Sequence, residues 1–147
     1  MDEYEKSVKR HCGRVGAVEV FLSGPGLENY YEHITKTKIS SRDIVSLYRE
    51  NDLVAGEVMD VYFERIARSF STFVNILDPD VIVCGGGMSE IDEIYDEVPN
   101  RIIPYIASNF FLTPIVKATH GSSSGVRGAA HLWNLSLIHI SEPTRRR

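Results

Sequence analysis

Three consecutive glycines, Gly85, Gly86 and Gly87, follow the apolar run Val81, Ile82, Val83 and Cys84. The run is short, largely β-branched and bounded by turn residues, so it reads as a strand buried on both faces. Glycines at the carboxyl end of such a strand leave the main chain bare, and open α/β sheets take ligands beyond their strand ends. A sharp turn without a ligand explains the same residues, and the run alone leaves both readings open. Other residues with chemical capacity are scattered. His11 and Cys12 are adjacent and offer two metal ligands where a closed tetrahedral site needs four. Asp78 and Asp80 flank Pro79 ahead of the strand and read as structural, so neither is nominated as a general base. His120 and His131 read as ordinary polar or partly packed histidines. Ser122, Ser123 and Ser124 read as loop residues, with a phosphate contact as the alternative. No catalytic residue is nominated.

The elements that must position the glycines follow from periodicity. From Ser40, apolar residues recur at Ile44, Val45, Leu47 and Tyr48, and Ser40 or Ser41 suits a cap; this predicts a short amphipathic helix. After Asn51 and Asp52, helical spacing runs from Leu53 to Leu77, about seven turns. Its wide apolar face predicts packing against a sheet, with Tyr62, Phe63, Phe70 and Phe73 in the core. Asp78, Pro79 and Asp80 end it, because proline lacks the amide that propagation needs. Beyond the glycines, Ser89 is expected to cap a helix carrying Ile91, Ile94, Tyr95 and Val98. Pro99 is expected to start a new helical segment that Pro104 bends or ends. A second strand is expected at Ile115, Val116, Lys117 and Ala118, leading through HGSSSG into a last helix with Val126, Ala129, Ala130, Leu132 and Trp133. Helices alternating with buried strands indicate an α/β layer structure.

Taken together, NILDPDVIVCGGGMS at 75–89 and HGSSSGVRGAAHLW at 120–133 resemble the C-terminal half of ROK-family sugar kinases, most closely the bacterial fructokinases. The resemblance extends through HCGRVGAVEVFLSGPG and covers residues 1–135. It implies an α/β, actin-like ATPase (ribonuclease H-like) lobe, partial, with a long helix packed on a mixed sheet. It also implies ATP and Mg2+ as cofactors and a hexose as substrate. The family's glycine turn lies against the adenosine of ATP, a role that falls here on Gly85, Gly86, Gly87 and Met88, with Ser89 flanking. The family motif Cys-x-Cys-Gly-x-x-Gly-Cys-x-Glu meets Arg10, Cys12, Gly13, Gly16, Ala17 and Glu19 in this chain. Two of its three thiolates are lost, so the structural zinc of the family is not expected. Glu19 matches, and the resemblance gives it the sugar hydroxyls, for which an ionised carboxylate offers several acceptor sites; a solvated or capping glutamate is the alternative. The family's phosphate loop and catalytic aspartate do not occur in this sequence, so the chain is expected to be an incomplete, inactive half of a kinase. The second expectation is the sugar-sensing half of a ROK-family transcriptional repressor.

Composition sets the outer bounds. A chain of 147 residues, 43% apolar, suits one compact core. The net charge of −4, with both signs intermixed, offers no basic stripe for nucleic acid. Charges at the start and the lack of a long apolar window predict a soluble cytoplasmic protein without a membrane partner. Cys12 and Cys84 are too differently placed to suggest a disulfide. The last residues, 136–147, end in Arg145, Arg146 and Arg147 and read as a non-native tail; without them the balance is 13 basic to 19 acidic residues. A homodimer built on the long helix is also expected from the family, although periodicity does not separate that from burial in the chain's own core.

Overall fold

The computed structural model describes residues 3–9, 13 and 15–139, without the side chains of Ser122 and residues 133–139. The zinc-motif positions Arg10, His11 and Cys12 therefore lie outside the described residues. In chain order the helices are α1 (Glu3–Ser7), α2 (Val18–Leu22), α3 (Gly24–Thr35), α4 (Ser41–Arg49), α5 (Leu53–Leu77), α6 (Glu93–Ile102) and α7 (Ser124–His139). Strand β1 (Ile82–Cys84) precedes α6 and β2 (Ile115–Lys117) follows it.

Helix α5 starts and stops where its chemistry dictates. The Asp52 carboxylate accepts the Ala55 amide at 2.8 Å, satisfying a donor that the first turn leaves free. At the other end Asp78 adopts the left-handed conformation, φ 43°, and its amide donates to Val74 O at 3.0 Å before Pro79 forbids another turn. Val58, Met59, Tyr62, Phe63 and Ile66, at helical spacing, form the buried stripe. Helix α4 carries the expected cap: Ser40 Oγ accepts the Asp43 amide at 3.2 Å, and Asp43 returns a carboxylate to the Ser40 amide.

The core differs from expectation in what α5 meets. Its chief neighbours are α6 and α4, with α2 and α3 beside them, rather than the sheet. Ile94, Val98 and Ile102 of α6 fill the face where a sheet was expected. Among the described residues the sheet is parallel and two-stranded, not mixed, with Ile82 opposite Ile115 and Cys84 opposite Lys117. Neither is β1 buried on both faces. Ile82 and Cys84 pack on the core, while Val81 and Val83 are 45% and 59% exposed, because alternate side chains point to opposite faces and only one is covered among the described residues. Phe73, expected in the core, is likewise half exposed.

Two local expectations are also corrected. Ser89 does not cap α6, which begins at Glu93; it belongs to a 3-10 turn over Gly87–Glu90. Pro99 lies inside α6 instead of opening a new segment. Its missing amide deprives the Tyr95 carbonyl of a donor, and burial of Val98 and Ile102 on either side outweighs that loss. Pro104 does sit where α6 gives way to a 3-10 turn, Ile103–Tyr105. Helix α7 continues past residue 135 to His139. Among the described residues, no helix is long and apolar enough to cross a membrane.

The short helices at the start are held onto α5 by one charged clasp. Glu5, buried, accepts from Arg65 Nε at 2.9 Å and from Arg68 Nη2 at 2.7 Å. Burial pushes the Glu5 carboxyl up, but the hydrogen bonds and charges of the two arginines prevail and hold it below its ordinary value. The Arg65 guanidinium, also buried, lies over Tyr30 at 4.2 Å, Phe21 at 5.3 Å and Tyr4 at 5.5 Å. One arginine thus ties α1, α2 and α3 to α5.

Candidate functional site

The glycine turn is built by β1 and locked by the residue after it. Gly86 takes φ 88° and ψ −177°, a conformation that essentially only glycine adopts. Its carbonyl accepts the Ser89 hydroxyl at 2.7 Å and the Ser89 amide at 3.2 Å. The Ser89 carbonyl in turn accepts the Tyr95 hydroxyl at 2.8 Å, which fastens the turn to α6. Ser89 is buried, so these bonds are sheltered from water.

This turn forms one wall of a cleft of about 780 Å³. Gly85, Gly87 and Met88 line it, and Gly86, set back, does not. A second wall is α4, which contributes Ser41, Arg42, Val45 and Arg49; the end of α2 and the start of α3 contribute Leu22, Ser23 and Gly24. Gly24 sits at the seam, because a Cβ there would stand 3.2 Å from Ser41 Oγ and 3.4 Å from Met88 Sδ. Helix α3 begins at this seam with Ser23 as its cap, the hydroxyl accepting the Gly26 amide at 3.2 Å. The Tyr62 hydroxyl donates to Leu22 O at 2.9 Å, so α5 holds the seam from below, and burial keeps that phenol protonated.

The three glycines have different reasons to be glycine. Gly86 is required by its backbone. At Gly85 an added Cβ would meet Ala118 and Ser124 at ordinary contact distance. At Gly87 it would meet nothing within 4 Å, and the conformation there needs no glycine. Beside them, Ser124 Oγ is buried with no hydrogen-bond partner among the described residues. The bare turn and the apolar side chains of Val45, Met88 and Ile91 leave room in the open cleft for a flat ring, so the residues present fit a nucleoside; Ser124 does not line the cleft and takes no part in that fit.

Charge in the cleft is mostly committed. Glu93 takes Arg49 through two hydrogen bonds, 2.6 and 2.9 Å, and this pairing holds the Glu93 carboxyl below its ordinary value. Glu90 pairs with Lys117 of β2 at 2.7 Å. Glu90 reaches that position because residue 121 is glycine: a Cβ on Gly121 would overlap the Glu90 carboxylate. Arg42 has no carboxylate partner among the described residues. Cys84, at the base of the turn, is a free thiol whose pKa burial raises, which keeps it in the unreactive protonated form.

Glu19 is exposed in the first turn of α2 and is not among the cleft-lining residues; Leu22 and Ser23, one turn on, are. His120 and Ser123 are engaged with each other, Ser123 Oγ donating to the His120 carbonyl at 2.7 Å. Asp78 is the cap of α5, in keeping with its structural reading. Among the described residues, no group of three or more His, Cys, Asp or Glu is placed to hold a metal ion. The cleft residues Ser23, Gly24, Arg42 and Glu90 were not singled out in the sequence. Ser23-Gly24-Pro25 was readable as a helix start, but only the fold shows that the start opens onto the cleft.

A family model described as "ROK family" matches residues 3–135. The N-acetyl-D-glucosamine kinase of Vibrio atlanticus (strain LGP32) is 41% identical over 121 residues, which is 82% of this chain and 40% of the relative. The chain thus spans about 40% of the length of the curated relatives it matches. Among solved structures, a ROK hexokinase from Thermus thermophilus superposes with a TM-score of 0.73 at 21% identity, over 86% of this chain and 43% of that one. A ROK-family glucokinase from Streptomyces griseus, crystallised with glucose and AMPPNP, superposes with a TM-score of 0.71 at 21% identity, over 82% and 45%. These two neighbours establish the fold alone, a partial lobe of the actin-like ATPase fold.

Proposed function

The chain belongs to the ROK family, and from that premise we propose that it forms one wall of the nucleotide cleft of an ATP-dependent sugar kinase. Gly85, Gly87 and Met88 lie against the adenosine in this reading, Gly86 sets the turn that presents them, and Glu19 accepts hydrogen bonds from the sugar. The observation that carries it is Gly87, whose missing side chain answers to no backbone strain and no protein neighbour. Open space at a cleft-lining position, on a turn that Ser89 and Tyr95 hold rigid, leaves room for a ligand and supports this reading.

Phosphoryl transfer from ATP to a sugar hydroxyl depends mainly on positioning and charge neutralisation, the latter supplied by bound Mg2+. The part proposed for these residues is positioning. The turn, fixed by hydrogen bonds before any ligand arrives, orients the nucleoside without an ordering cost at the moment of binding. Leu22, Val45 and Ile91 keep water from its apolar side. Helix α2 couples this wall to the sugar, since it carries Glu19 at one end and Leu22 at the other.

For the sugar, the relatives named as N-acetyl-D-glucosamine kinases outweigh the fructokinase-like look of the glycine turn, because their identity extends over 121 residues. N-acetyl-D-glucosamine is therefore the proposed substrate in place of fructose. The test is a coupled ADP-release assay with Mg2+ against N-acetyl-D-glucosamine, glucose, mannose and fructose. It is run on this chain and on the protein extended to the length of its relatives. Turnover of N-acetyl-D-glucosamine by the extended protein, and none by the chain alone, is expected. Preference for fructose overturns the substrate, and turnover by the 147 residues alone overturns the assignment of a single wall.

A further inference from the structure

Resting on the reading of the glycine turn as the adenosine site, we propose that Arg42 lays its guanidinium over the nucleotide base and makes an aromatic base a requirement of the cleft. Arg42, Val45 and Arg49 stand three and four residues apart on α4 and so share one face, and all three line the cleft that the glycine turn lines from β1. Arg49 on that face is held by Glu93 through both oxygens. Arg42 has no such partner among the described residues and is exposed. A long cationic side chain left uncommitted over an apolar-walled cleft has a ligand as its natural counterpart.

The surroundings select base over phosphate. Val45, Met88 and Ile91 offer an apolar lining that suits a flat ring. Glu90, in the same 3-10 turn as Gly87, lines the cleft with its carboxylate paired to Lys117 and keeps acceptor sites for ribose hydroxyls or an exocyclic amine. With Arg49 paired to Glu93 and Glu90 paired to Lys117, Arg42 is the one uncompensated cation lining the cleft among the described residues, fewer than a polyphosphate calls for. The guanidinium is planar, remains charged, and stacks on aromatic faces, which an ammonium does not do.

The test is calorimetric titration of the chain and its Arg42→Ala, Arg42→Lys and Gly87→Val variants with adenosine, ATP and inorganic tripolyphosphate. Arg42→Ala is expected to weaken adenosine and ATP by the same factor, about tenfold, with an unchanged melting temperature. Arg42→Lys is expected to recover little of the loss, and tripolyphosphate to bind none of the proteins appreciably. Weakened ATP with unchanged adenosine, restored by Arg42→Lys, makes Arg42 a phosphate contact and overturns the proposal. Unchanged binding of both in Arg42→Ala, while Gly87→Val loses both, also overturns it and leaves the adenosine site standing. Failure of the unaltered chain to bind adenosine or ATP overturns the adenosine site and the proposal with it.

Discussion

Replacing Glu5 by Gln removes one charge from the clasp that ties the first three helices to α5, and the structure bounds the consequence. Gln keeps an acceptor for Arg65 Nε and a shape close to Glu, so packing changes little. What is lost is the charge facing Arg65, which is only 4% exposed and cannot turn to water. Breaking a buried ion pair costs about 3–5 kcal/mol. The faces of Tyr30, Phe21 and Tyr4 remain around the guanidinium and offset part of that cost, leaving a destabilisation of about 2–3 kcal/mol. Arg68 adds little, since its side chain is 34% exposed and water screens it. For a chain of this length the fall in Tm is roughly 6–10 °C, read by differential scanning calorimetry at pH 7. The pH dependence supplies a second check. The folded Glu5 carboxyl is lowered, so its contribution is fully present above the unfolded carboxylate range and is lost as pH falls through the folded value. Wild type and Glu5→Gln should therefore converge in acid and separate as pH rises toward neutrality. A Tm difference under 2 °C at pH 7, or one that stays constant from neutral pH down to about pH 2, refutes the account of the clasp.

Other substitutions separate the roles assigned to neighbouring residues. Gly86→Ala forces a side chain onto a glycine-only conformation and should cost about 1–3 kcal/mol, whereas Gly87→Ala should leave the denaturation midpoint unchanged while weakening adenosine in the same titration. Tyr62→Phe deletes the hydroxyl that donates to Leu22 O, and a loss of about 1 kcal/mol should appear with faster amide exchange across residues 20–24. Ile102→Ala empties a fully buried site in α6 and should cost about 2–5 kcal/mol by urea denaturation. Arg49→Ala, breaking a pair whose arginine is half exposed, should cost under about 1 kcal/mol, and that small difference should vanish in high salt.

Legibility in the sequence followed the range of the forces involved. Helices α4 and α5 were readable to their caps because Ser40, Asp52 and Asp78 act on amides within a few residues of themselves. The glycine turn was readable because a bare strand end is a local feature. What α5 packs on was not, since an apolar stripe has the same spacing whether it meets strands or the stripe of α6. Pro99 was misread by a rule about isolated helices that burial of its neighbours overrides. Helix α3 was passed over because Gly24, Pro25 and Gly26 look like a loop, although Ser23 and Pro25 together mark a helix start. The cleft itself belongs to no segment. Its walls are separated by tens of residues, and Arg42 looks like any solvated arginine until Arg49 beside it is seen to be occupied.

The meeting of Gly121 with Glu90 has a consequence for anyone who would alter this protein. Position 121 lies in a loop that lines no part of the cleft, yet a side chain there makes the Glu90 carboxylate shift from its place beside Lys117, which retains Asp92 at 3.5 Å. The loop thus works as a remote handle on the wall, able to re-aim its acid without a mutation inside it. A library confined to residues that face the ligand would miss that handle. One that includes position 121 samples a second placement of that acid from a single codon.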